Sequence, residues 1–307
     1  MSVTSAFISI IIPTYQRPEA LRDCIEALSR LDYSPHRFEI IIVDDGGGIP
    51  LMPLLAQFVN HLIITVVEQP NAGPAAARNF GAIHASGDFL AFTDDDCQPD
   101  PQWLQALSAT LVSAPDSLVG GRTVNALTSN PYAQASQTII DVVYDHYNSP
   151  PREVHFFASN NMAVSTKTFK SVNGFDPGFR TSEDRDLCDR IRAKGYPLRY
   201  APEAVIFHAH TLTLRSFWGQ HSGYGRGAWL YHAARSQRGS GKFKPDWGFY
   251  RALITAPFRK TSPWNAMQGL LLIFIAQLAN AVGCAQQGIR TLMRPIHGAN
   301  SMDSKQQ

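Results

Sequence analysis

Three consecutive carboxylates, Asp94-Asp95-Asp96, follow the apolar run Phe89-Leu90-Ala91-Phe92 after Thr93. Adjacent carboxylates at a strand end repel one another, and a cation relieves that repulsion. Mg2+ and Mn2+ favour oxygen ligands and commonly share a carboxylate or two with substrate phosphates. The triplet therefore fits a metal–diphosphate site. Taken alone it fits a solvated acidic turn equally well, because Gln98-Pro99-Asp100 follows. A second acidic pair, Asp44-Asp45, closes the run Ile40-Ile41-Ile42-Val43, and Pro13-Thr14-Tyr15 closes Ile8-Ser9-Ile10-Ile11-Ile12. Asn71-Ala72-Gly73-Pro74 opens a helix that carries Arg78 and Asn79 in its early turns. A helix N-terminus favours phosphate, and Arg78 adds a fixed cation. Its plainer use is a surface salt bridge. Glu183-Asp184 falls in the first turn of another helix, where the dipole favours ionised carboxylates. The pair serves either as helix capping or as a general base for an acceptor hydroxyl. Arg185 and Asp186 beside it read as surface charge.

These residues need a frame that brings them together. Strands are predicted at Phe7 to Ile12, Glu39 to Val43, residues 62–67 and Phe89 to Phe92, each apolar and short. Helices fall between them. Pro18 starts one, with Leu21, Cys24, Ile25, Leu28 and Leu31 on its buried face. Pro74 starts another, which runs to about Ser86 and stops at Gly87. Alternating strands and helices of this kind imply a mostly parallel sheet covered on both faces. Ligands then bind beyond the carboxyl ends of the strands, where all three polar endings converge. The middle, from about Val119 to His155, is less regular, with a strand near Val119 and a polar, Tyr-rich helix or loop to Tyr147; Pro150-Pro151 marks a break. A helix is predicted from Glu183 to Lys194, capped by Ser182 and ended by Gly195.

The 307 residues carry a net charge of +2, so no polyanion partner such as nucleic acid is expected. The four cysteines, at 24, 97, 188 and 284, make no CxxC and no metal-finger spacing. No secretory leader is read at the N-terminus, and free thiols fit a cytosolic location.

The ordered motifs resemble family 2 glycosyltransferases of the GT-A fold. The matching pieces are Ile11-Ile12-Pro13-Thr14-Tyr15-Gln16-Arg17, Val43-Asp44-Asp45-Gly46, Asn71-Ala72-Gly73 with Ala77-Arg78-Asn79, Phe92-Thr93-Asp94-Asp95-Asp96, Asn173-Gly174-Phe175-Asp176 and Glu183-Asp184-Arg185-Asp186-Leu187. The resemblance covers roughly residues 6 to 210 and implies an α/β catalytic domain, with a mostly parallel mixed sheet flanked by helices and a C-terminal helical appendage. It implies inverting transfer from a nucleotide-diphosphate sugar (UDP-, GDP- or dTDP-linked) to a saccharide or lipid-linked acceptor in cell-surface polysaccharide or glycolipid synthesis. Pro13, Thr14, Tyr15, Arg17 and Asp44 or Asp45 are expected at the nucleotide, with Arg78 and Asp95 nearby. Asp94 and Asp96 form the DxD pair for Mg2+ or Mn2+, with Asp96 the more direct ligand and His208 an added contact. Asp184 is the implied base, while Glu183, Asn160 and Asn161 fall on the acceptor side. The QxxRW signature of processive synthases is missing, which points to single additions. The nearest segment is Gln220-His221-Ser222-Gly223-Tyr224-Gly225-Arg226-Gly227, in which Tyr224-Gly225-Arg226-Gly227 is read as a glycine-hinged gate whose Arg226 reaches the donor diphosphate.

Rival chemistries lack their signatures. A nucleotidyltransferase is expected to show a Gly-rich basic loop after its first strand, and Pro13-Thr14-Tyr15 stands there. The DxDx[TV] of aspartyl-nucleophile phosphatases fails at Gln98, and neither GxGxxG nor Walker A occurs. A non-catalytic nucleotide-sugar-binding module remains the alternative, because catalytic sets decay while folds persist.

The division expected is a catalytic domain over residues 1–240 and a C-terminal helical segment over 241–307. No charged residue occurs from Thr261 through Ile289. Residues 266–285 are long enough to span a bilayer, but Gln268, Gln277 and Asn280 interrupt them. On a helical wheel Leu271, Phe274, Ile275, Leu278 and Val282 share one face, and Gln277, Asn280, Cys284 and Gln287 the other, with Arg259, Lys260, Arg290 and Arg294 flanking. Such a helix lies on or weakly spans a membrane, here the inner face reached from the cytoplasm. The plainer reading is a helix packed on its own domain or on a partner subunit.

Overall fold

The computed structural model describes residues 6–148, 153–259 and 262–293. Pro150-Pro151, Lys260, Thr261 and Arg294 lie outside them. The chain alternates as expected through its first third: β1 Ile8–Thr14, α1 Pro18–Leu28, β2 Phe38–Asp44, α2 Met52–Leu55, β3 Ile64–Glu68, α3 Pro74–His84 and β4 Phe89–Phe92. Then come β5 Cys97–Pro99, α4 Trp103–Ser113, β6 Leu118–Asn125, α5 Pro131–Tyr147, β7 Met162–Ser165, α6 Thr166–Ser171, α7 Glu183–Ala193 and β8 Leu198–His208. Three helices close the described chain, α8 Leu214–Gln237, α9 Trp247–Thr255 and α10 Pro263–Leu292.

One eight-stranded sheet runs in the order β3-β2-β1-β4-β7-β6-β8-β5. The β3-β2-β1-β4 half is parallel, β7 lies antiparallel to both β4 and β6, and β8 is parallel to β6. The isoleucines of β1 and β2 are fully buried because helices cover both faces of the sheet. One face packs α1 and α4 through Leu21, Ile25, Trp103 and Leu107. The opposite face packs Ala77, Phe169 and Leu187. This is the GT-A-like architecture, a mixed sheet between helices with a C-terminal helix appended.

β1 continues through Pro13, past its expected end. The physical reason is local. β4 reaches only Ile11 opposite Phe92, so beyond Ile12 one side of β1 has no ladder in which a missing N–H would matter. Thr14 then stands level with Asp44 at the carboxyl edge. The irregular middle resolves into β6 and a full helix, α5, whose cap is the Asn130 side chain accepting from the Ala133 N–H. Gly195 ends α7 at φ +85°, as its type requires. Ser182 does not cap it: this residue is left-handed at φ 68° and its side chain makes no capping bond.

The expected glycine gate is not a loop. Residues 220–227 lie inside α8, and their glycines serve close packing. A Cβ on Gly225 would stand 2.0 Å from the Asn280 carbonyl oxygen, and one on Gly283 would stand 2.0 Å from that of Ser222. The α8 and α10 backbones therefore touch where both helices lack side chains. The C-terminal segment is thereby seated on the sheet domain's own helix. Gly225→Ala is expected to destabilise the chain by about 1–3 kcal/mol through overpacking. Urea unfolding checks this, and an unchanged midpoint would mean that the two helices do not close on one another.

Candidate active site

The three parallel strand ends deliver Thr14, Asp44-Asp45 and the segment Asp94 to Asp96 to one edge, and the first turn of α7 comes up against it. Arg78 joins the two. Buried to 3% exposure on α3, its guanidinium donates to Asp94 Oδ1 at 2.5 Å and to Glu183 Oε1 at 2.9 Å. Arg78 is thus a buried bridge between the acidic triplet and the helix carrying Asp184, not a surface cation.

The members of the triplet separate by environment. Asp95 is fully buried; it accepts from the Thr14 hydroxyl at 2.7 Å and pairs with Arg17 at 2.5 Å. Burial, opposed by Arg17, pushes its carboxyl up to about 7. Asp96 pairs with the other nitrogen of Arg17 at 2.8 Å and lies 3.2 Å from His208 Nε2. Burial works against its ionisation, but the His208 hydrogen bond and charge, with Arg17, hold it well below the usual carboxylate range. His208 responds in the opposite sense: Asp96 raises it against burial, while burial and His208 itself lower His210.

A metal fits this corner. One ligand atom each from Asp96, Cys97 and His208 lies within 4.8 Å of the others. Burial raises the Cys97 thiol, so it offers a protonated sulfur, and a hard dication would take the Asp96 oxygen and the His208 nitrogen. Asp94 is absent from that cluster and holds Arg78 instead.

In the first turn of α7, Asp184 accepts from the Arg185 N–H at 2.8 Å and from the Ser159 N–H at 3.4 Å. Burial raises its pKa, opposed by Arg185 and the two backbone bonds. Asp186, expected at the surface, is fully buried between Arg190 and Arg238, both at 2.7 Å. Asn161 faces inward: it accepts from the Trp103 ring N–H at 2.9 Å and donates to the Ala204 and Arg122 carbonyls. Asn160 does line the site.

A cavity of about 1260 Å³ connects these groups. Pro13, Thr14, Tyr15, Arg17, Asp45, Arg78, Asp94, Asn160, Glu183, Asp184 and His208 line it; Asp44, Asp95, Asp96, Asn161 and Arg226 do not. Asp44 accepts from the Gly47 N–H at 2.6 Å. Asp45 accepts from the Ala72 and Gly73 N–H groups at 2.8 and 2.9 Å, in the turn just before α3. Arg226 bonds Ser222 at 2.9 Å and lines a separate, smaller cavity with Arg180 and Arg290. His210, overlooked in the sequence, was legible there: two residues beyond His208, it falls on the same face of an extended chain. The Ser159 amide carried no such signal.

Known proteins share both the pattern and the fold. Residues 9–172 match the Glycosyl transferase family 2 model, and 94–284 match Glycosyl transferase family group 2. The chain belongs to glycosyl transferase family 2. It is 31% identical over 227 residues to a pre-mycofactocin glycosyltransferase of Mycobacterium tuberculosis, covering 72% of this chain but 46% of that relative's length. It is 28% identical to glycosyltransferase AglE of Haloferax volcanii, covering 68% of each. Among solved structures, the mannosyltransferase PcManGT of Pyrobaculum calidifontis, in complex with GDP-Man and Mn2+, superposes with TM-score 0.61 at 18% identity over 95% of this chain and 82% of that one. S. aureus TarS residues 1-349, in complex with UDP-GlcNAc, follows with TM-score 0.54 at 14% identity over 92% and 91%.

Burial and the neighbouring Asp184 charge push the Glu183 carboxyl up to about 7, against the pull of Arg78. A carboxylate raised by folding contributes stability that is present below its unfolded range and is lost as pH rises through the folded value. The melting temperature of the family 2 chain is therefore expected to fall from about pH 5 to about pH 8 more steeply than that of Glu183→Gln. Thermal melts across that window decide it, and parallel curves would contradict the assignment.

Proposed function

We propose that this chain moves a sugar from a nucleoside-diphosphate sugar to an acceptor hydroxyl with inversion, one addition at a time. The observation that carries this reading is the opening of the Asp184 carboxylate and the Asp94–Arg78–Glu183 bridge into one cavity with Thr14 and Tyr15. The GDP-Man and Mn2+ of one structural neighbour and the UDP-GlcNAc of the other support the donor class.

Each residue then has a physical role. The half-exposed Tyr15 ring stacks on the base. The acceptor oxygen forms its bond to the anomeric carbon as the bond to the diphosphate oxygen breaks, and the electron pair leaves with the nucleoside diphosphate. Asp184 receives the acceptor proton; its raised pKa makes it a stronger base than an ordinary aspartate. Arg78, fixed by two carboxylates, lies beside the developing diphosphate charge without having to reorganise. Asp96 and His208 would hold Mn2+ or Mg2+, which supplies charge neutralisation of the leaving diphosphate when bound. Asp184→Asn is expected to lower turnover by about 10²- to 10⁴-fold while nucleotide binding persists. Nucleotide release from a panel of nucleotide sugars with Mn2+ measures it. Full activity in the variant, or no binding of any donor, would reject the reading, and binding without release in the native chain would favour the non-catalytic module.

The same proposal places the chain at the inner face of a membrane, with a saccharide or lipid-linked acceptor. α10 is long and apolar enough to cross a membrane, yet it is packed inside out for a soluble protein. Gln277, Asn280 and Cys284 turn to the cavity, and Ala276, Ala279 and Gly283 are buried. Trp264, Met267, Leu271, Phe274 and Leu278 point outward, Trp264 at 73% and Phe274 at 65% exposure. Trp247, Ile254 and Phe258 of the preceding segment are exposed as well, as are Arg251 and Arg259. Aromatic rings and cations around an apolar face match a bilayer interface. Because α8 covers the other face, the helix lies along the membrane instead of spanning it. Leu271→Asp/Phe274→Asp is expected to abolish flotation with vesicles of phosphatidylglycerol and phosphatidylcholine while leaving the melting temperature within a few degrees. Equal flotation of both chains would exclude this surface.

A further inference from the structure

The cavity is larger than one ligand requires: 1260 Å³ exceeds the roughly 300–1,000 Å³ of a small-molecule pocket. Its charge is also divided. Near the triplet, Arg17 and Arg78 are each committed to two carboxylates. Beyond Asp184 the balance reverses, because Arg185, Lys242 and Lys244 line the wall and make no ion pair among the described residues. The Arg185 guanidinium lies over the Phe156 ring, 5.4 Å from its centre.

The two lysines are held in place by their segment. They sit on a strap between α8 and α9, residues 238–246, anchored at both ends. At one end Arg238 bonds Asp186 and Asp189 of α7, at 2.7 and 2.8 Å, so the strap is tied to the helix that carries Asp184. Arg235 grips the Ser240 carbonyl at 3.1 Å, and the Phe243 ring packs edge-on against His232 at 4.9 Å. At the other end Asp246 caps α9 and pairs with His146 of α5 at 2.7 Å. Lys242 and Lys244 are themselves exposed, and it is the strap carrying them that the two anchors fix.

We infer that the compartment between this strap and the first turn of α7 binds an anionic group carried by the acceptor, a carboxylate or phosphate on a saccharide, through Arg185, Lys242 and Lys244. The inference rests on the glycosyl-transfer reading and deepens it. Aromatic walls at Phe156 and Phe243 suit a pyranose face, and the cations suit its charge. The anion is an anchor, and the attacking hydroxyl remains the one facing Asp184. A soluble acidic saccharide and an amphiphile with an acidic headgroup share this chemistry.

The test uses the full chain saturated with nucleoside diphosphate and titrated calorimetrically. The probes are glucose against glucuronate, and octyl glucoside against octyl glucuronide below their micelle concentrations. The glucuronide member of each pair is expected to bind at least about tenfold more tightly, a preference of about 1.4 kcal/mol. That preference is expected to disappear in Lys242→Gln/Lys244→Gln and to shrink at high salt in the native chain. Lys167→Gln, an exposed site on α6, is expected to keep it. A larger preference in the octyl pair marks a lipid-borne acceptor, and equal preferences mark a soluble one. Equal affinity within both pairs, or a preference that survives the double substitution or high salt, overturns the subsite. A chain that releases nucleotide from its donor yet shows no anionic preference refutes the subsite alone, whereas a chain that binds no nucleotide sugar refutes the transfer reading beneath it.

Discussion

The site depends on one buried cation. Arg78 draws Asp94, at the end of β4, and Glu183, at the start of α7, onto a single guanidinium, and these carboxylates lie 89 residues apart in the chain. Without that charge, two acidic segments would face each other across a desolvated gap, where like charges repel most strongly. With it, the end of β4 and the first turn of α7 are tied to one another. Arg makes this possible because its fork binds two carboxylates in fixed directions; a lysine ammonium would hold either one loosely.

The rest of the acidic edge is balanced in the same way. Arg17 forks across Asp95 and Asp96, His208 adds its charge to Asp96, and Asp45 accepts from the Ala72 and Gly73 amides just before α3. The result is a graded set in which Asp95, Glu183 and Asp184 are pushed up while Asp96 is held down. Burial alone would raise all four. The partner each one finds decides which stays ionised.

The C-terminal helices extend this site instead of standing apart from it. Gly225 and Gly283 let α8 and α10 close until their backbones touch, which brings Asn280 and Cys284 into the cavity wall. The same rotation turns the large apolar side chains of α10 outward. The polar lining of the cavity and the apolar outer face are therefore two consequences of one helix packing.

The sequence alone determined the parallel half of the sheet, the three polar strand endings, the two proline-opened helices and the family. These are local or ordered features: apolar runs, prolines at helix starts, and short motifs in a fixed sequence. Tertiary structure decided what each charged residue does. Asp94, Asp95 and Asp96 are chemically identical in sequence, and only their separate partners, Arg78, Thr14 with Arg17, and His208, distinguish them. The glycines of 220–227 read as a hinge because glycine permits many conformations, yet their use depended on an approach from α10 that no local pattern records. Asp186 and Asn161 read as surface or acceptor groups, and the fold buried both. A polar side chain's role follows from the charge and solvent it meets at long range, and spacing along the chain does not contain that information.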